Sequence, residues 1–268
     1  MSEQIHVVDL DTVHLENLGE ALGPFDGDRS GAVVEIVDRQ GRAVVHGGQP
    51  AHEFDELCRS VIEAQGMMVI TITETATTVR SGRLLDTPGE DPGTSAFVWF
   101  SRYGILTARP LDGGYRLELE RAGGIYRFLV DLLGFGPRPE PTQELHLEVS
   151  RPVMQGVTLE DSQSTEGRAA RESLAGLLDA AWPEVATDLR GGRCREITAA
   201  LQFNGARGLA EFGTWYLDTP SGLLVHQQEQ RTMRRNRDLL VSTPAWQLWA
   251  ELLATLPQAD DVESWLLG

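Results

Sequence analysis

The chain has 268 residues, 41% of them hydrophobic and 24% charged, a composition typical of a globular protein with a substantial core. All 23 basic residues are arginine, and the absence of lysine excludes mechanisms that need one, such as a P-loop, a Schiff base or a kinase strand. The formal net charge of −17 is spread along the chain and opposes a nucleic-acid backbone, so no nucleic-acid partner is predicted.

Nothing in the sequence has the pattern of a membrane span or an export signal. No run approaches about eighteen apolar residues, and the N-terminal region has no basic start followed by an apolar stretch. A cytoplasmic location without membrane contact is therefore expected. Cys58 and Cys194 lie far apart in sequence and form no C-x-x-C pair, which predicts two reduced thiols rather than a disulfide or a zinc site.

The elements predicted for the first half follow from apolar spacing and from glycine and proline positions. They are, in chain order, a strand (5–10), a helix (11–22), a hairpin (32–37 and 43–46), an acidic helix (52–65), a half-buried strand (67–79), a turn-rich loop (85–94), a meander (95–100, 104–108 and 115–120) and a helix (125–134). The acidic helix carries Phe54, Leu57, Cys58, Val61 and Ile62 on one face, and Gly66 is expected to end it.

The second half follows a stiff proline-rich connector at 137–141. Its predicted elements are a strand (144–150), a flexible polar stretch (160–167), two helices (168–181 and 194–201), three strands (208–217, 222–228 and 238–242), a helix that begins with proline (244–256) and a final apolar segment (262–267).

The two halves echo each other weakly. The helix ending at 129–137 resembles that at 248–257, and residues 103–108 resemble 221–226, each a small hinge followed by a β-prone run. Helices that follow runs of hairpin-linked strands predict an α+β fold, and two distant copies predict a pseudo-two-fold globule with a C-terminal helical region. We expect a single domain over 1–268 built from two related halves, about 1–141 and 142–268.

A search for catalytic motifs finds none. The segment 52–56 begins like a zincin motif but ends in Glu56, where a second histidine is required. The histidines are scattered, the sequence lacks a Gly-x-Ser-x-Gly elbow, and Gly134 and Gly136 do not open a nucleotide-binding helix. Glu118 and Glu120 alternate with leucines like a solvated strand face. The chain is predicted to be no enzyme and to need no cofactor or metal.

Two features indicate binding to another protein. Four arginines fall within 231–237, among them Arg234 and Arg235, and guanidinium groups pair well with carboxylates on a partner. A solvated loop that balances local acids explains the same cluster. Four of the six tryptophans, including Trp215, lie in the C-terminal part of the chain, where they serve either a core or a binding groove.

In layout the chain resembles the EspG family, secretion-associated chaperones of actinobacterial type VII (ESX) systems. The resemblance covers nearly the full chain and rests on the leucine-rich helix at 8–22, the meander from Phe97-Val-Trp-Phe to 115–120, the segment 129–139, and the strand, Asp-Thr-Pro turn and strand at 213–225. It implies a cytosolic, non-enzymatic chaperone that caps the hydrophobic tip of a PPE protein in its PE-PPE heterodimer. The chaperone itself would be a monomer or weak homodimer.

By position only, the resemblance also implies which parts of the chain contact the partner. These are the loop 86–94, the strand around 215–217 and the helices near 178 and 201, to which the arginine cluster is added. The candidate partner-binding residues are Asp86, Pro88, Glu90, Asp91, Leu178, Leu201, Trp215, Leu217, Arg234 and Arg235.

A second hypothesis also needs no catalytic site. An acidic immunity protein that neutralises a basic bacterial toxin would have the same charge and would tolerate an unusual sequence. Gene neighbourhood separates the two, because toxin genes favour the immunity protein and ESX genes favour the chaperone. An enzyme would instead require a set of carboxylates or histidines gathered in a pocket.

Overall fold

The computed structural model describes residues 6–22, 35–47, 49–74, 94–121, 123–140, 144–157, 165–229 and 237–267. The strands within these ranges are β1 (Val7–Asp11), β2 (Ile36–Val37), β3 (Ala43–His46), β4 (Gln49–Pro50), β5 (Gly66–Glu74), β6 (Thr94–Ser101), β7 (Gly104–Leu111), β8 (Gly114–Glu120), β9 (His146–Val149), β10 (Arg195–Gly205), β11 (Gly208–Thr219), β12 (Gly222–Glu229) and β13 (Arg237–Ser242). The α-helices are α1 (Thr12–Leu22), α2 (Asp55–Ile62), α3 (Gly124–Leu133), α4 (Arg151–Val157), α5 (Thr165–Leu178), α6 (Pro183–Arg190), α7 (Ala245–Thr255) and α8 (Ala259–Leu267), and a 3-10 turn (His52–Phe54) precedes α2.

Ten strands form one antiparallel sheet whose order mirrors itself about the middle. The order is β1-β8-β7-β6-β5 in the first half and then β10-β11-β12-β13-β9 in the second. The two halves meet where β5 pairs with β10, and Ile70 lies opposite Ala199 at the centre of that pair. Helices α2 and α6 directly precede these two strands, and α3 and α7 end the two meanders. The predicted α+β, pseudo-two-fold architecture is confirmed.

The sheet separates three apolar cores. On one face, α3, α7 and α8 cover the central strands, with Phe100, Leu129 and Leu248 among the buried residues. The other face carries two separate cores. Near β7 and β8 the sheet packs against α1, α2 and the small sheet β2-β3-β4, and near β11 to β13 it packs against α4, α5 and α6. The two covered regions of this second face lie on either side of the central strands.

The predicted stop at Gly66 was wrong. Helix α2 ends at Ile62, whose side chain is exposed rather than part of the buried face, and Gly66 opens β5. A Cβ atom built on Gly66 would lie 2.3 Å from the Cβ of Phe203 on the neighbouring strand. Glycine is therefore required here for the close approach of β5 and β10, not for a helix cap.

The predicted helix at 194–201 was also wrong, because this segment begins β10. Its burial alternates from residue to residue: Ile197, Ala199 and Leu201 are buried, while Thr198 and Ala200 are exposed. A period of two is the pattern of a strand with one face covered. The abundance of alanine and leucine, both good helix formers, conceals this alternation when only the short window is considered.

The stretch predicted to be flexible, 160–167, is helical from Thr165 onward, because α5 begins there, and the other predictions agree with the structure in the part that it describes. Each strand of both meanders is present, as are the helices at α1, α3, α5 and α7. Helices α4 and α6 were not predicted, and the final apolar segment belongs to α8. The loop at 85–93, the arginine cluster up to residue 236 and the boundary between the predicted halves at 141–142 lie outside the described residues.

A buried carboxylate joins the two halves. Arg138, in the connector after α3, donates from Nε to Asp218 (3.1 Å) and to the carbonyl oxygen of Thr219 (3.0 Å). Arg195 on β10 donates to the same carboxylate from Nε (3.1 Å) and Nη2, and Nη2 also reaches the carbonyl oxygen of Leu133 at the end of α3 (2.8 Å). Asp218 lies in the Asp-Thr-Pro turn that contributed to the family resemblance, so this turn has a structural role.

The C-terminal helix α8 is attached to the β10-β11 hairpin by two side chains. Asp261 accepts hydrogen bonds from the backbone amides of Ala206 (2.9 Å) and Gln258 (2.8 Å). The indole of Trp265 donates to the carbonyl oxygen of Asn204 and packs edge-on against Phe203, with ring centroids 6.5 Å apart. Helix α8 therefore closes one end of the central core.

Replacing Trp265 with alanine should lower the free energy of unfolding by about 3–5 kcal/mol, because the change leaves a cavity beside Phe203 and an unpaired carbonyl group. Urea denaturation measures this loss. The matched control is Trp246→Ala, since Trp246 is 69% exposed and should lose about 0.5 kcal/mol or less. Equal losses for the two variants would contradict the assigned role of α8.

Candidate functional site

An open strip of the sheet lies between the two covered regions of the second face. Here several outward residues of β5, β10 and β11 are exposed or half-buried, among them Met67, Thr198, Ala200 and Gln202. We call this strip, with the flanking side chains of β6 and β12, the groove. Helices α2 and α6 border it on opposite sides, because α2 packs on β6 and β7 while α6 packs on β11.

The side chains across the middle of the groove decrease in size from the first half to the second. Strand register places Phe97, Val69, Ala200 and Gly213 side by side across β6, β5, β10 and β11, a set that we call the central row. A Cβ atom built on Gly213 would have no atom within 4 Å. The floor is therefore shallow over β10 and β11, and an occupant can approach the backbone there.

The width of the groove suits one α-helix. Its floor spans four strands, which at the usual spacing is roughly 14 Å. A helix with its side chains is about 10–12 Å across, and two helices packed side by side need about 8–10 Å more. One helix, or the end of a helical hairpin, therefore fits between the two sides.

The side formed by the first half is aromatic, and we call it the aromatic wall. Phe97 stacks on Trp99 with ring centroids 5.9 Å apart and an angle of 26°, and it contacts Tyr115 at 5.7 Å. All three rings are half-buried and rest on the core beneath α2. Half-buried stacked rings offer apolar area at a low cost in side-chain entropy, which suits an anchor for a partner.

The side formed by the second half is polar, and we call it the polar wall. It consists of Trp215, His226 and Asp238 on β11, β12 and β13. Trp215 is 6% exposed. His226 Nε2 lies 2.9 Å from Asp238 Oδ1, and both of these side chains are partly exposed. A carboxylate bound to one ring nitrogen fixes the orientation of the imidazole ring and so the direction of its other nitrogen.

A buried carboxyl group lies behind the polar wall. Glu196 on β10 is 5% exposed, and burial raises its pKa to about 8, although Arg171 on α5 and a hydrogen bond from Trp215 act to lower it. One atom of each charged group, Arg171 Nη1 and Glu196 Oε1, has no hydrogen-bond partner within the described part of the chain. Buried polar atoms without a hydrogen-bond partner are costly, and this cost is what favours the neutral, protonated form of Glu196.

The candidate partner-binding residues fall in several places. Trp215 lies on β11 beside the groove but is 6% exposed, and it belongs to the same buried core beneath α4, α5 and α6 as Leu178 and Leu217. Leu201 lies on the opposite face of the sheet, in the core covered by α3 and α7. These three leucines do not reach the surface in this conformation. The remaining candidates, which are Asp86, Pro88, Glu90, Asp91, Arg234 and Arg235, lie outside the described residues.

Sequence reasoning missed Val69, Ala200 and Gly213 on the floor, and His226 and Asp238 at its side. The missed signal was the alternation in β10, because a strand reading of 195–205 assigns Thr198, Ala200 and Gln202 to the face opposite Leu201. Strand pairing then places Val69, Ala200 and Gly213 side by side, and a single sequence does not reveal that pairing.

The described residues offer little for catalysis. No three His, Cys, Asp or Glu side chains among them cluster as metal ligands. Burial raises the pKa of the Cys58 thiol to about 12, which leaves it unreactive. Within the same ranges no helix has the length and apolar character needed to cross a bilayer.

The likeness to known proteins is in structure rather than in sequence. No family model matches the sequence, and no curated protein matches it. The structure is similar to the Mycobacterium tuberculosis type VII secretion system chaperone EspG5, solved in complex with a PE25-PPE41 dimer, with a TM-score of 0.51. The alignment covers 94% of this chain and 97% of the other at 11% identity. At this identity the likeness establishes a shared fold.

Proposed function

We propose that this chain, which has the EspG fold, is a cytosolic chaperone that binds the apolar tip of a PPE-type protein in a PE-PPE-type heterodimer. The fold class is shared with a chaperone solved with such a dimer, and this likeness over nearly the whole chain carries the proposal. The chaperone would act without a cofactor and without enzyme activity. It would work in the cytoplasm of an actinobacterium, before type VII secretion of its substrate.

The groove supports this proposal as the docking surface. An apolar helical tip would aggregate when exposed, and an open strip of sheet one helix wide, with the central row in its middle and half-buried aromatic residues along one side, is suited to cover it. The net charge of −17 adds solubility and selects against acidic partners, while the central row supplies apolar contact area. Trp215, a candidate from the sequence, borders the same surface.

Co-expression with PE-PPE pairs of the host, followed by size-exclusion chromatography with light scattering, tests the proposal. We expect one stable complex with one copy of each chain. No complex with any pair would contradict the chaperone, and capture of a basic toxin instead would favour the immunity protein.

Blocking the groove should abolish this complex. Ala200→Arg and Gly213→Arg each replace a small residue of the groove floor with a long charged side chain. Each should weaken binding at least 100-fold, because an approaching helix would clash with the new side chain or bury its charge. Isothermal titration calorimetry measures the loss.

The control for both variants is Gly176→Arg on α5. A side chain at Gly176 also has open space around it, but this position lies on the three-helix side of the second half and not on the groove floor. It should bind as the wild type does. If the two groove variants bind as tightly as the control, the partner docks elsewhere.

A further inference from the structure

The two walls of the groove occupy equivalent positions in the two halves but differ in chemistry. The sequence echo aligns Gly104, at the start of β7, with Gly222, at the start of β12, and so aligns Ala108 with His226. Ala108 lies beside Phe97, and His226 follows the pair Tyr216–Val225, which places it beside Trp215. The aromatic residues of β6 and β11 therefore have an alanine neighbour in one half and a histidine neighbour in the other.

The next strands continue the same relation. Ala108 pairs with Leu117, and His226 pairs with Leu240. Leu117 on β8 therefore corresponds to Leu240 on β13. Two residues before them, Tyr115 corresponds to Asp238. A buried alanine and an aromatic ring in the first half are thus replaced by a hydrogen-bonded histidine and aspartate in the second. The internal symmetry itself does not require this polar pair, since the first half forms the same backbone without one.

A polar pair at the edge of the groove offers less apolar contact area than the aromatic wall, but its hydrogen-bonding atoms can recognise a polar group. Asp238 holds Nε2 of the His226 ring, which leaves Nδ1 as the ring atom not engaged by that carboxylate. Nδ1 accepts a hydrogen bond in one protonation state and donates one in the other. A hydroxyl or carboxamide group on the partner satisfies either state, whereas a purely apolar tip would bury Nδ1 without a hydrogen-bond partner, which weakens binding.

We propose that His226, oriented by Asp238, selects partners whose tip presents a hydroxyl or carboxamide side chain to the polar wall. This inference rests on the proposed function, because it names a specificity determinant of the same groove. His226 is the contact residue, and Asp238 is a positioning residue that acts through it. The aromatic wall supplies affinity for any apolar tip of suitable size, and the polar wall discriminates among such tips.

The test measures the affinity of the purified chain for its PE-PPE-type dimer by calorimetry. His226→Leu, of similar volume, should weaken binding at least tenfold, and Asp238→Asn should weaken it by about three- to tenfold. The double variant should bind no more weakly than His226→Leu alone, since Asp238 acts only through the ring. Thermal unfolding of each variant should stay within a few degrees of the wild type, which separates a contact role from a structural one.

The control is His146→Leu. His146 also lies on a strand next to a carboxylate, with Nε2 3.3 Å from Glu144, but it occupies the sheet edge outside the groove, and its variant should bind within twofold of the wild type. If the wild type binds the dimer and His226→Leu binds it with an affinity within twofold of the wild type, this inference is overturned and the proposed function stays intact. If His226→Leu does not fold, unchanged binding by Asp238→Asn overturns it. Failure of the wild type to bind any such dimer would overturn both.

Discussion

Replacing Asp218 with alanine is expected to lower the free energy of unfolding by about 3–5 kcal/mol, among the largest single-site losses in this chain. The variant leaves the guanidinium groups of Arg138 and Arg195 in a partly buried site without their shared carboxylate. Removing one partner of a buried ion pair is costly because the remaining charge stays uncompensated. Urea denaturation followed by circular dichroism measures the loss.

The matched control is Asp179→Ala. Asp179 also receives two hydrogen bonds from one arginine, Arg190 (2.6 and 2.7 Å), but its side chain is 51% exposed. Exposed pairs contribute about 0–1 kcal/mol, so this variant should remain close to the wild type. A loss for Asp218→Ala no greater than that of the control would show that the two halves do not depend on this junction.

Replacing Glu196 with glutamine should change how stability depends on pH. Burial raises the pKa of Glu196 from 4.5 to about 8 in the folded chain, so the folded state holds this proton more tightly than the unfolded state does. The resulting stability is fully present below pH 4.5 and is lost as the pH rises toward 8. Glutamine carries no such proton, so the variant should lack this part of the pH dependence.

The free energy of unfolding of the wild type and of Glu196→Gln is measured at pH 5 and again at pH 8.5. The difference between the two proteins should change by roughly 3–5 kcal/mol between these pH values. The variant should gain stability relative to the wild type at the higher pH. Glu211→Gln, on the exposed part of β11, serves as the control and should show no such gain. A difference for Glu196→Gln that stays constant with pH would mean that Arg171 keeps the carboxylate ionised throughout.

The sequence predicts local structure well where turn residues and periodicity agree. The strands of the first meander are predicted to within three residues of their observed ends, because β-prone runs there are separated by turn residues such as Gly104. Helix α3 is predicted with similar accuracy, and Gly134 ends it in the left-handed conformation that favours glycine. In these segments local propensity and tertiary packing favour the same structure.

Prediction fails where the deciding contacts are distant in sequence. Gly66 resembles a helix stop locally, but the close approach of Phe203 decides its role. The same pairing of β5 with β10 places Val69 beside Ala200 and thereby creates the groove floor. The repeat within the sequence indicates two related halves, yet it does not state which strands meet. Of the candidate contact residues that the structure describes, only Trp215 lies next to the groove, because the candidates were assigned by analogy of position and not by strand face.

The mirrored strand order has a consequence for the direction in which a helix can lie in the groove. Rotation by half a turn about the β5-β10 centre returns the same strand order, so a helix and its reversed copy cross equivalent strands. The two orientations are distinguished by unequal side chains on the walls, such as Tyr115 against Asp238, and by the different helices beyond each wall. Docking polarity is thus encoded at the sides of the groove rather than in the order of its strands.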